Sequence, residues 1–255
     1  MTQEGRVRRR YKSPPVSEAI CEFQFGGTKE WDWTIPGLLY QEIREEFPEK
    51  RQEKAFEISI APQMGKVEQS VGSLSKMQFV RQDGSAMVQI GPDLIAVNVL
   101  PPYPGWETFE ALVRKQFEIY LKVAQPAAFK RIGLRYVNQI VFPAGEIETT
   151  DYFHYYPKLP ETVEQRHGPF WMRVLHAYSE DRDVMTFQMA HAKPTNKKLT
   201  IVLDLDYYLA KPDVVELTRG LDWVAEAHEN VEAMFEASIT DNTRNLFEET
   251  KECQQ

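Results

Sequence analysis

Two polar-studded, strand-like stretches, one opening each half of the chain, limit the fold more than any other feature of the sequence. The first is Tyr11-Lys12-Ser13-Pro14-Pro15-Val16-Ser17-Glu18-Ala19, and the second is Arg131-Ile132-Gly133-Leu134-Arg135-Tyr136-Val137-Asn138. Each feeds a similar succession of elements. After the first, Ala19, Cys21, Phe23 and Phe25 share one face at period two, and Gly26-Gly27 ends the run. A helix follows, with Thr34 as its N-cap, Pro36 in its first turn, Leu39, Ile43 and Phe47 as its apolar stripe, and Pro48 as its stop. Strand-like runs at 55–61, 76–81 and 86–100 come next, the last broken at Gly91-Pro92-Asp93. Trp106, Phe109, Val113, Phe117 and Tyr120 then give a strongly amphipathic helix that Pro126 closes.

The second half repeats the order of elements and barely repeats residue identities. A strand over 132–142 carries Leu134, Tyr136 and Asn138 on one face and Arg135, Val137 and Gln139 on the other. A loop rich in Pro and Tyr over 151–160 stands where the first half has its short helix. Strands over 170–178, 184–191 and 198–209 follow, and a last long helix over 222–249. This pattern predicts an α+β fold: antiparallel sheet with helices on one face, built as two pseudo-repeated halves, 11–126 and 127–255, that share one core. Residues 1–10, with Arg6, Arg8, Arg9 and Arg10, read as a flexible basic arm, either solvated or gripping an acidic partner or phosphate.

With 255 residues, 42% of them hydrophobic, the chain can bury a sizeable core. Its net charge of -8 is not the default profile of a nucleic-acid binder. Two cysteines, Cys21 and Cys253, make no disulfide framework or metal knuckle. The N-terminus lacks a secretory apolar stretch and no run approaches a membrane span, so a cytoplasmic protein is expected.

No complete catalytic constellation is present: neither a G-x-S-x-G elbow nor a phosphate-binding glycine loop occurs. The five histidines, His154, His167, His176, His191 and His228, lack zinc-site spacing, though His176 and His191 fall on adjacent strands. Asp204 and Asp206 share a strand face, which suits a hard cation or a glycosidase pair, or is simply the solvent-facing side of an antiparallel strand. Arg131 and Arg135 point one way with Gly133 between them. They either fork onto a carboxylate or phosphate ligand or pair internally with Glu18 and Glu22. Tyr152, Tyr155 and Tyr156 form either a docking surface or a lid over the sheet.

The two opening stretches, with Trp106-Glu107-x-Phe109 and Asp151-Tyr152…Pro157-x-Leu159-Pro160, resemble a sporadically distributed bacterial family. Its members open with Y-x-x-P-P-[IV]-x-E and later carry R-x-G-L-R-Y-x-N, and the likeness spans roughly residues 11–247. The resemblance implies carriage on mobile or defence loci, such as toxin–antitoxin or CRISPR-accessory islands, and implies no activity. The element order is similar to the TATA-binding-protein architecture, from which the acidic charge departs. The expected function is a non-enzymatic accessory or regulatory subunit that binds another protein, with Glu18, Arg131, Arg135, Asn138, Tyr152, Tyr155 and Tyr156 as binding residues. It needs no cofactor or metal. Nucleic-acid or nucleotide binding through Arg6–Arg10 and Arg131/Arg135 is one alternative, and a metal-assisted enzyme using Asp204 and Asp206 is another.

Overall fold

Period-two alternation builds the first strand, β1 (Val16–Gly26), in which every second residue from Ala19 to Phe25 is buried. The structure is a computed structural model that describes residues 9–26, 31–59, 70–143, 147–158, 160, 162, 168–192 and 198–249, with backbone alone at 53–59 and 70–75. The next elements are α1 (Ile35–Ile43), β2 (Glu49–Ser59), β3 (Ser70–Val80), β4 (Ala86–Gly91), β5 (Leu94–Val99) and α2 (Trp106–Ala124). The second half gives β6 (Ala128–Val141), α3 (Thr149–Tyr152), β7 (Trp171–Tyr178), β8 (Asp183–His191), β9 (Thr200–Leu209), α4 (Gly220–Ser238) and α5 (Asp241–Asn245). The described nine strands form one antiparallel sheet, in the order β2-β3-β4-β5-β1-β6-β9-β8-β7.

One face of that sheet is covered. On it Ala19, Cys21 and Phe23 stand opposite Tyr136, Leu134 and Ile132, and Leu134 and Tyr136 stand opposite Tyr207 and Leu205. Helix α2 lies over β5, α4 lies over β6 and β9, and α1 packs against α2. Helix α2 buries Phe109, Val113, Phe117 and Tyr120 on this face, as its periodicity demands. It stops where Gln125 turns left-handed at φ 47, just before Pro126. Gly105, at φ 91, supplies the turn into the helix that a side chain would strain. Among the described residues no helix is long and apolar enough to cross a membrane.

Three local expectations are corrected. Thr34 does not cap α1 with its side chain; its N–H and hydroxyl both donate to Asp32 Oδ1, at 2.8 and 2.7 Å. Strands β2 and β3 are longer than the runs at 55–61 and 76–81, because backbone pairing extends through polar residues. Residues 27, 60 and 61 lie outside the described residues. The long last helix breaks at Ile239. There the backbone turns extended and bonds to the tyrosine loop, with His154 N–H donating to Ser238 O at 2.9 Å and Thr240 N–H to Tyr152 O at 3.0 Å. Those strand-like bonds, with β-branched Ile239 and Thr240, outcompete one more helical turn.

Two glycines give opposite expectations. A Cβ at Gly220 would fall 2.6 Å from Cζ of fully buried Phe129, whereas one at Gly37, inside α1, meets nothing within 4 Å. Gly220→Ala is expected to cost about 1–3 kcal/mol in denaturant unfolding. Gly37→Ala is expected to stabilise by about 0.5–1 kcal/mol through helix propensity.

Candidate functional site

Strand β6 sorts the sequence-predicted residues onto two faces. Arg131, Gly133 and Arg135 stand on the uncovered face, and Tyr136 and Asn138 on the helix-covered one. On the uncovered face the charges close on each other. Arg135 forks onto Asp204, Nε to Oδ1 at 2.8 Å and Nη2 to Oδ2 at 2.6 Å. Arg131 donates Nη2 to Asp206 at 3.0 Å and Nη1 to Glu22 at 3.2 Å, and its guanidinium lies 4.8 Å from the Tyr208 ring. Glu22 also takes Lys76 Nζ at 3.8 Å.

Of the two expected partners Glu22 does pair with Arg131 and Glu18 does not, and β9, the other neighbour of β6, adds Asp204 and Asp206. Glu18 instead accepts from Asn98 Nδ2 at 2.7 Å. Gly133 is small because Arg131 folds back over it; a Cβ there would sit 2.9 Å from Arg131 Cζ. The bond to Asp204 holds the Arg135 guanidinium above its ordinary pKa. Burial holds the Asp206 carboxyl above its ordinary value, against the pull of Arg131 and Arg135. Asp204 and Asp206 do share a strand face, but as counter-ions. Among the described residues no three His, Cys, Asp or Glu side chains gather as metal ligands would.

The tyrosine loop is spent largely on the core. Tyr152 meets Phe142 edge-on at 4.8 Å, and Tyr155 packs on Phe187 at 4.6 Å and reaches His176 Nε2 at 3.4 Å. Tyr156 is half-buried against the same core. His191 turns to Phe170 instead, accepting its N–H on Nδ1 at 3.2 Å. Leu159, Arg6, Arg8 and Cys253 lie outside the described residues. Arg9 and Arg10 do not form a free arm: Arg9 bonds Glu249 at 2.7 Å and Arg10 bonds Glu107 at 2.8 Å. Cys21 is fully buried, which pushes its thiol far above the ordinary pKa and leaves it an inert core residue.

The covered face holds a cavity of about 360 Å³ at the seam of the two halves. Its floor is Tyr136 and Asn138 of β6 with Leu205 of β9, and its walls are Trp106 of α2 and His228, Val231 and Phe235 of α4. Tyr11, Pro14, Pro15 and Val16 close it from the N-terminal side, and Tyr103 from the turn before α2. The N-terminal strap is pinned by Lys12 and Ser13 N–H bonds to Glu248 O and Phe247 O, both 3.0 Å. Tyr11 packs edge-on against Phe247 and donates to Glu236 Oε1 at 2.7 Å.

Inside, the hydroxyls of Tyr103 and Tyr136 lie 3.1 Å apart, and Tyr136 Oη is 3.4 Å from His228 Nδ1. The imidazole stacks face to face on Trp106 at 3.8 Å and 7°. Burial raises both phenols above their ordinary pKa, so they are neutral hydroxyls at physiological pH. Asn138, 3% exposed, donates Nδ2 to Leu203 O at 3.1 Å. A carbonyl only accepts, so this bond fixes the orientation of the amide. Nothing among the described residues donates to Asn138 Oδ1.

Helix α4 is held at the right height by Asp183, which is fully buried. It accepts from Trp223 Nε1 at 2.9 Å, Tyr207 Oη at 3.1 Å and Arg182 Nη2 at 2.6 Å. Of the binding residues expected for a protein partner the cavity gathers only Asn138, and of the basic arm it gathers Arg9 and Arg10. His228, weighed in the sequence only as a metal ligand, joins it, and Tyr103, Val231 and Phe235 carry no sequence signal of a site. The usable signal was parity, since Asn138 falls on an otherwise apolar strand face. Compared with models of protein families, with curated proteins and with solved structures, the chain matches none.

The ion pairs on the uncovered face can be weighed by a mutant cycle. Arg135→Met leaves Asp204, 7% exposed, without its counter-ion, and is expected to cost about 2 kcal/mol. Arg135→Met with Asp204→Leu is expected to cost clearly less than the sum of the single changes. Additive losses in denaturant unfolding would show that the two side chains do not depend on each other.

Proposed function

We propose that this chain is a non-enzymatic accessory or regulatory protein that works by binding, and that the seam cavity is its recognition site. One observation carries the reading: residues from both halves and from the N-terminal strap converge on one aromatic-walled cavity whose floor holds an almost fully buried amide. A volume of about 360 Å³ falls in the range of small-ligand sites. The groups best suited to turnover are committed elsewhere, since Arg131, Arg135, Asp204 and Asp206 neutralise one another and the Cys21 thiol is buried. The same pairing argues against a phosphate backbone on the open sheet. The succession strand, helix, strands, long helix, found over 16–124 and again over 128–238, supports a pseudo-repeat of TATA-binding-protein-like order. A mobile or defence locus remains the setting that the family resemblance implies.

A second reading has its own observation. Strand β7 ends the sheet among the described residues, and Trp171 and Leu175 stand 64% and 57% exposed on its uncovered face. An edge of this kind suits a strand added by a partner protein.

Native mass spectrometry of the full chain purified from its host tests the first reading. A bound small molecule is expected on the wild type and on an Arg173→Ala control from the uncovered face. It is expected to be lost from Trp106→Leu and from Asn138→Leu. No adduct on the wild type, or the same adduct on all four, contradicts the proposal. For the second reading, Trp171→Glu with Leu175→Glu should release whatever protein cross-links to β7 in the host; unchanged cross-linking rejects it.

A further inference from the structure

The chemistry lining the seam cavity narrows its ligand, given that the cavity is the recognition site. Charge comes first. The lining carries three cations, Arg9, Arg10 and Lys12, and three carboxylates, Glu107, Glu232 and Glu236. The cations sit towards the mouth, where Arg10 bonds Glu107 at 2.8 Å, Arg9 lies 3.8 Å from Glu236 and Lys12 lies 4.0 Å from Glu248. A balanced lining rewards neither a strong cation nor a strong anion.

Polarity comes second. Asn138 Oδ1 is an acceptor on a side chain 97% removed from solvent, the complement of its 3% exposure, and it is held in place through Nδ2. With Nδ2 committed to Leu203 O, Oδ1 is the polar atom that Asn138 keeps for a ligand N–H or O–H at the cavity floor. The raised phenol pKa values keep Tyr103 and Tyr136 as neutral hydroxyls that serve as a second polar handle.

Shape comes third. Trp106, Tyr103, Tyr136, Phe235 and Tyr11 contribute aromatic surfaces to the lining, with one face of Trp106 already taken by the stacked His228. Such surfaces favour a flat ring, and base–aromatic stacking is worth roughly 1–3 kcal/mol per base.

We propose that the seam cavity binds an uncharged, planar heteroaromatic ligand that donates an N–H to Asn138 Oδ1, a nucleobase or nucleoside in chemical class. The flat ring packs against the aromatic wall, and the N–H that it would otherwise give to water goes to Asn138. The shared chemistry is the base itself, whether it arrives as a free base, a nucleoside or a nucleotide. The balanced charge of the lining favours the forms without phosphate.

Isothermal titration of the full chain tests this with the four ribonucleosides, their 5′-monophosphates, N6,N6-dimethyladenosine, spermidine and indole-3-acetate. At least one nucleoside is expected to bind. Asn138→Leu is expected to weaken it by about tenfold or more, and Trp106→Leu also weakens it. The unfolding midpoint of each variant is measured alongside, so that loss of fold is not read as loss of binding. If adenosine is the ligand, removing its N–H donors in N6,N6-dimethyladenosine should cost about tenfold or more, and equal binding would overturn the hydrogen-bond assignment. A monophosphate that binds about tenfold tighter than its nucleoside overturns the uncharged class. Binding of spermidine or indole-3-acetate with no nucleoside bound overturns the class too, and leaves the recognition site standing. No binding by any member, together with no adduct on protein from the host, removes both readings.

Discussion

The antiparallel pairing of β1 with β6 is the constraint on which the rest depends. It joins the two halves at the centre of the sheet and fixes which side chains face the helices. Because side chains alternate, a slip of one residue would move Tyr136 and Asn138 to the uncovered face and turn Arg135 into the core. Burying an unpaired guanidinium there would cost several kcal/mol, so the register is strongly specified. Aromatic packing across the pair reinforces it. Phe23 stacks on Phe117 at 4.4 Å, Phe25 on Tyr120 at 4.9 Å, and Phe129 of β6 meets Phe23 and Phe25 at 5.9 and 5.4 Å. Each such contact adds roughly 0.5–1.5 kcal/mol beyond area burial. The pairing shifts register between Gln24 and Phe25, beside these rings.

From that register follows a division of labour. The uncovered face is electrostatically closed: guanidiniums and carboxylates from β1, β6 and β9 fork onto each other and hold three central strands together. Among the described residues the covered face is closed mainly by apolar packing, and a cavity stands at the seam. There the strap over 11–16, the turn before α2 and the second half of α4 leave a gap lined by rings and hydroxyls. Asp183 matters to this arrangement at a distance. By bonding Trp223 and Tyr207 it locks α4 against β9, and so sets the height at which His228 reaches Trp106 and Tyr136.

Much of this architecture was legible in the sequence. Period-two alternation in β1 and β6, the stripe of α2, and the breaks at Pro48, Gly91-Pro92-Asp93 and Pro126 translate directly into elements, because each is a local effect. The parity of β6 was equally readable, and it separated Arg131 and Arg135 from Tyr136 and Asn138. What stayed hidden is non-local. Alternation cannot say which strand lies beside β6, so Asp204 and Asp206 read as solvated or metal-binding instead of as counter-ions. The end of α4 depends on backbone bonds to a loop far upstream, His154 standing 84 residues before Ser238 (238 − 154). The cavity draws on segments that are far apart in the chain. Tyr11, Trp106 and Tyr136 were each visible as parts of recurring stretches, yet nothing short of the fold places them within reach of His228.

Hydrogen exchange on the full chain, with and without a pooled small-molecule extract of its host, tests the central claim most directly. Slower exchange confined to amides of 11–16 and 103–107, the segments that close the cavity, is the predicted result. Protection that instead falls on β7 and β9, with those segments unchanged, would contradict it.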